Sequence, residues 1–309
     1  MHRADGYFAG GKFDQAKVEY LNLLRLDPAN PVTYARLGAI WLDEGAPLRA
    51  APFLLKTKEL APDDLASRLK LSRTLNALGR RGDGFTEAMY VLDKNPNDSE
   101  AARVAAEAAH TPEEIERVKQ ALDRMADHNS ASFQLASAAV AARRGDSETV
   151  KSSVQRALEL DPKSAPAHSA MGTLWLLQKQ PAKAGDEFKT ASELSQPRSL
   201  ERLRYAQFQI QTGATDPAWN TLRESITQAP DFISAWLLLA ELSLGKKNYD
   251  ETLKLLANVL NRDPENIDGT ILEARARMGK GEVDKGIQGL ERLDGRYPNF
   301  PPLKCELAR

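Results

Sequence analysis

The chain has 309 residues, 42% hydrophobic and 28% charged, a balance that excludes global disorder. Its 42 basic and 43 acidic residues leave a net charge of -1, so it carries no electrostatic footprint for nucleic acid or anionic lipid. One cysteine, Cys305, and four scattered histidines exclude a disulfide framework and a metal site built on cysteine or histidine, and no apolar run reaches the roughly 18 residues of a membrane span.

The opening residues MHRADGYFAG lack the apolar stretch of a signal peptide and begin a repeat. Pro28, Pro62 and Pro96 lie 34 residues apart, as do Pro230, Pro264 and Pro298. Pro162 and Pro230 are separated by 68, twice that period, and only the step of 66 from Pro96 to Pro162 falls short. With the proline set at position 32, position 15 is Gly11, Gly45, Gly79, Gly145, Gly213 and Gly281. Position 8 is small in most copies (Gly38, Ser72, Ala106, Gly172), and so is position 20 (Ala16, Ala50, Gly84, Ala184). Position 24 is bulky, as in Tyr20, Leu54, Phe188 and Leu256.

Taken in chain order, residues 1–30 form a partial copy with position 7 at Arg3, so most of a first helix is expected to be missing. In 31–64, Tyr34, Leu37 and Trp41 fall on one helical stripe, the glycine at position 15 turns the chain back, and the proline at 32 ends the second helix. The same pattern predicts hairpins over 65–98, 131–164, 165–198, 199–232, 233–266 and 267–300. Residues 99–130 are degenerate: alanine-rich, two residues short, without the inter-helix glycine, and turning at His110-Thr111-Pro112. The two helices of this copy are expected to pack closely or to shift the local twist. PPLKCELAR at 301–309 reads as the start of another copy, so both ends look cut from a longer array or left to fray or pair. Position 34 offers N-cap oxygens at Asn30, Asp64, Asp98, Ser130, Ser164 and Asn266. One hairpin cannot bury its own apolar face, so the copies must stack.

A 34-residue helix–turn–helix with small residues at 8 and 20, a turn near 15 and proline at 32 resembles the tetratricopeptide repeat. The resemblance covers essentially the whole chain. It implies an all-α fold, a right-handed α-solenoid of about nine hairpins running as a single solenoid over 1–309.

No catalytic, cofactor or metal constellation emerges. His2, His110, His128 and His168 sit in different repeats, and the glycine-rich stretches GRRGDG and MGKGEVDKG occupy inter-helix turns rather than a phosphate loop. Asp63-Asp64 and Glu113-Glu114 lie at helix starts, where the dipole favours them. Trp41, Trp175 and Trp236 occupy packing positions.

In the tetratricopeptide family the concave face is lined by first helices near positions 2, 5, 9 and 12. Carried onto this chain, with arginines at position 6 or 13 (Arg36, Arg143 and Arg204) added, the N-terminal part of that lining is Arg36, Leu42, Leu69, Arg73, Asn76, Arg103, Leu135, Arg143 and Leu176. The C-terminal part is Leu203, Arg204, Gln207, Leu237, Glu241, Leu244, Ile271 and Arg275. Each leucine reads equally as solenoid core or as groove, but a row of exposed leucines is a liability that favours a groove. The carboxylate clamp of chaperone-docking repeats is missing, since position 5 holds no lysine and position 9 no asparagine in any complete copy.

The expected function is therefore a non-enzymatic scaffold that binds a protein or peptide, without cofactor, metal, nucleic acid or membrane insertion. Two alternatives stay open: an assembly scaffold of a bacterial envelope or exopolysaccharide-export system, which the opening copy YFAGGKFDQAKVEYLNLLRLDPAN resembles, and the repeat arm of a larger enzyme. Self-association through open solenoid ends is a further expectation. The compartment, cytoplasmic or periplasmic, stays open.

Overall fold

A computed structural model describes residues 1–298 and 301–307, the side chain of residue 302 excepted. Among the described residues there are helices and no strands. The chain divides into two compact units, one of residues 1–43 and 47–196, the other of 197–309 with 44–46.

In the first unit the helices pair as α1 (His2–Ala9) with α2 (Phe13–Leu26), α3 (Pro31–Asp43) with α4 (Pro47–Leu60), and α5 (Leu65–Ala77) with α6 (Arg81–Lys94). They continue as α7 (Ser99–Ala108) with α8 (Pro112–Arg124), α9 (Ala131–Arg143) with α10 (Ser147–Leu160), and α11 (Ala165–Leu177) with α12 (Pro181–Leu194). The second unit holds α13 (Leu200–Gln211) with α14 (Thr215–Gln228), α15 (Ile233–Gly245) with α16 (Tyr249–Arg262), α17 (Ile267–Gly279) with α18 (Val283–Asp294), and α19 (Pro301–Leu307). All-α hairpins at the period of the prolines are thus the architecture.

Most inter-helix turns solve the same problem, the orphaned carbonyls at a helix end, in the same way. The amide at position 16 reaches back to the carbonyl at position 11: Arg80 to Leu75 at 2.8 Å, Gln180 to Trp175 at 2.9 Å, Asn248 to Ser243 at 3.1 Å. That closure needs a left-handed residue at position 15. Glycine supplies it in six turns, Gly213 with φ of 80° for example, but Lys179 (57°) and Lys247 (59°) adopt it without glycine. At the opposite turn, five of the six expected N-caps accept a hydrogen bond from the helix start, as Asp64 does from the Ser67 amide at 3.1 Å. Ser164 makes no such side-chain bond.

Small residues set the helix spacing. A Cβ on Gly38 of α3 would lie 2.6 Å from Leu54 Cγ of α4, and one on Gly172 of α11 would lie 2.9 Å from the Phe188 ring of α12. Leu37, Leu54 and Leu71 are fully buried as a result, each contributing about 1.5–3 kcal/mol.

In the hairpin over 99–130 the two helices do not pack closely on each other, the first of the two expected outcomes. The face of α7 is lined with buried alanines and packs broadly against α9, and only marginally against its own partner α8. Alanine permits that close helix-to-helix approach. Its turn has no left-handed residue. Instead, Thr111 accepts from the Glu114 amide while the Glu114 carboxylate accepts from the Thr111 amide, a reciprocal capping box that restarts the chain as α8.

Candidate protein-binding groove

The first helices of the second unit, α13, α15, α17 and α19, lie side by side. Because positions 2, 5, 6 and 9 recur on one face of each, their side chains converge on a concave site of about 530 Å³. Its floor is Leu203, Leu237, Leu238, Ile271 and Leu272, and its polar members are Gln207, Ser234, Glu241, Asp268, Arg275, Cys305 and Glu306. Leu203 and Ile271 are also core residues, 8% and 7% exposed, so the floor is rigidly anchored and shows only one edge to the groove.

The electrostatics of this site are acidic. Arg275 donates to Glu306 through both Nε and Nη2, and that hydrogen bond holds its guanidinium above the ordinary value, against the opposing effect of burial. Glu241 and Asp268 make no salt bridge among the described residues. The protein mass around Asp268 desolvates its carboxyl and pushes its pKa up, although the side chain still reaches solvent.

Six of the eight C-terminal groove residues expected from the sequence line this one hollow: Leu203, Gln207, Leu237, Glu241, Ile271 and Arg275. Arg204 is exposed on α13 outside it, and Leu244 is half-buried against the core of the same unit. Sequence reasoning passed over Leu238 and Leu272, at position 6, and Ser234 and Asp268, at position 2. Position 2 was on the projected stripe. The signal at position 6 was a leucine in two successive copies.

The expected residues of the first unit do not line this hollow. Leu42 packs half-buried against the α4–α5 core, and Leu69 against the alanine-rich core around α7. Leu135 and Leu176 are half-buried, and Arg143 is exposed at the end of α9. The other arginines already have intramolecular partners. Arg36 lies 3.8 Å from Asp5 and over the Phe8 ring. Arg73 and Arg103 both pair with Glu100, and Arg103 also with Glu107. Asn76 is half-buried, its Oδ1 lying where a Cβ on Gly84 would be 2.1 Å away.

The tryptophans are packing residues with a polar edge. Lys17 Nζ lies 4.2 Å above the Trp41 ring and Lys183 Nζ 4.4 Å above that of Trp175. Among the described residues no group of three or more His, Cys, Asp or Glu side chains could hold a metal ion, and no helix is long and apolar enough to cross a membrane.

Residues 243–304, which include α16 to α18 and two groove helices in part, match the tetratricopeptide repeat family. No curated protein sequence matches the chain. Among solved structures it is similar to the TPR domain of P58(IPK), at 18% identity and a TM-score of 0.34, over 99% of this chain and 95% of that one. It is similar to yeast Tom70 at 17% identity and a TM-score of 0.48, over 99% and 70%. A thermophilic TPR protein of Thermus thermophilus aligns at 20% identity and a TM-score of 0.43, over 70% and 100%.

Proposed function

We propose that this chain, built of tetratricopeptide-type repeats, is a non-enzymatic scaffold that binds a segment of a partner protein in the groove of α13, α15, α17 and α19. The repeat fold itself suggests protein interaction. The observation that carries the finer reading is the hollow: an apolar floor with separate polar groups above it, open enough for a chain segment. Apolar floor gives affinity, and the polar groups fix orientation.

A random peptide library selected against the purified chain tests this. Gln207 is exposed and lines the hollow, so Gln207→Trp fills the site without disturbing the core. Enriched peptides that bind the parent chain and are lost on Gln207→Trp support the groove. Peptides that bind both proteins equally place the binding elsewhere and sink the reading.

A further inference from the structure

The charge of this groove differs from that of the first-helix face formed by α5 and α7, and the difference names the chemistry of its ligand. In the first unit, Arg73, Glu100, Arg103 and Glu107 form a closed chain of alternating charges on α5 and α7. Nothing in that chain is left over to attract a partner. In the second unit the groove sets three carboxylates, Glu241, Asp268 and Glu306, against one guanidinium, Arg275. Arg275 is already spent on Glu306. Its charge also reaches Glu241 of α15, but one cation against three carboxylates leaves the lining net negative, and neither Glu241 nor Asp268 of α17 makes a salt bridge among the described residues. Gln207 on α13 and Cys305 on α19 add no cation, and Arg204 lies outside the lining. Low-dielectric walls focus that negative field into the hollow.

We infer that the groove takes a basic–apolar segment of a partner protein, in which leucine-like side chains seat on Leu203, Leu237 and Ile271 while a lysine or arginine meets Glu241 and Asp268. This inference rests on the groove reading above and specifies its ligand. The chain as a whole has a net charge of -1, so the preference belongs to the site and not to bulk charge. An acidic segment would bring like charges together over a dry floor, which disfavours it.

Fluorescence anisotropy with the full chain tests it, using three labelled peptides of about twelve residues with one leucine spacing and lysine, glutamine or glutamate between the leucines. The lysine peptide is expected to bind about tenfold or more tighter than the glutamate peptide, with glutamine between, and its advantage to shrink as salt is raised. Glu241 and Asp268 are both exposed, so Glu241→Lys with Asp268→Asn keeps the fold, checked by circular dichroism, and reverses the order. Three equal affinities, all abolished by Gln207→Trp, overturn the charge inference and leave the groove reading standing. A lysine preference that survives in the charge variant also overturns it. No binding by any peptide overturns the groove reading, and the inference with it.

Discussion

The indole nitrogen of Trp236 donates a 2.9 Å hydrogen bond to the carbonyl oxygen of Pro230, tying the first turn of α15 to the residue that closes the preceding repeat. The relationship recurs at the same two positions. Tyr34 donates to the Pro28 carbonyl at 3.2 Å, Arg68 to Pro62 at 2.6 Å and Gln134 to the His128 carbonyl at 3.0 Å. His168 Nε2 lies 3.1 Å from the Pro162 carbonyl. A phenol, a guanidinium, an amide, an imidazole and an indole thus do one job. The carbonyl belongs to a turn in which the helix ladder has ended, so it needs a donor from elsewhere.

Trp236→Phe keeps an aromatic ring against the core and removes only the donor. The carbonyl then turns to water, so the cost is expected at about 0.5–1.5 kcal/mol, read as a lower urea midpoint. An unchanged midpoint would show that water replaces the indole at no cost and that the tie is incidental.

Much of this fold was legible because turns punctuate it. Proline at 32 and glycine at 15 act through local backbone rules, so the hairpins and five of six N-caps followed from spacing alone. What spacing does not carry is distance between helices. The pairing of Arg73 and Arg103 with Glu100 depends on how closely α5 and α7 approach, and the sequence shows only that arginines stand at concave positions. The packing of α7 on α9 is of the same kind: alanines permit the approach, but nothing local says which neighbour takes it. Asp268 entered the hollow from position 2 and Leu238 from position 6, where the projection had picked out only the arginines Arg36 and Arg204.

Lys247 is a stability defect that the turn imposes. Its φ of 59° satisfies the closure bond from the Asn248 amide to the Ser243 carbonyl, at the cost of a conformation that glycine adopts freely. Lys247→Gly is expected to stabilise the chain by about 0.5–1 kcal/mol, and Gly213→Ala, at the equivalent turn with φ of 80°, to destabilise it by about 1 kcal/mol or more. Paired denaturation curves read both. A destabilised Lys247→Gly would mean that entropy gained by the unfolded chain outweighs the relieved strain.

Glu87 of α6 joins three helices through two cations. Its carboxylate accepts from Lys58 of α4 at 2.5 Å and from Arg68 of α5 at 2.7 Å, and Arg68 stacks 3.7 Å from the Tyr90 ring centroid. With Glu87 only 4% exposed and Arg68 8%, removing the carboxylate strands a buried guanidinium. Glu87→Leu is expected to cost about 3–5 kcal/mol, and the pair Glu87→Leu with Arg68→Met to recover most of it. A double variant no more stable than the single would show that Arg68 contributes net stability of its own, through the Pro62 carbonyl and the Tyr90 ring, beyond neutralising Glu87.

Glu100 of α7 makes part of the stability pH-dependent. Burial acts to raise its pKa, but the Arg103 hydrogen bonds at 2.7 and 2.9 Å, the charges of Arg103 and Arg73 and the Ser132 hydroxyl at 3.2 Å outweigh it and hold the carboxyl below its ordinary value. A carboxylate depressed in the folded state stabilises fully above its unfolded pKa, and the contribution is lost as pH falls through the folded pKa. Glu100→Gln should therefore lower stability at neutral pH, by about 1 kcal/mol because the partly exposed pair is screened by solvent. The gap between the two proteins should narrow through the carboxylate range and close below the folded pKa. Urea midpoints taken from neutral pH into acid check it: a gap that stays constant would mean that Glu100 acts through shape and neutral hydrogen bonding, not through its charge.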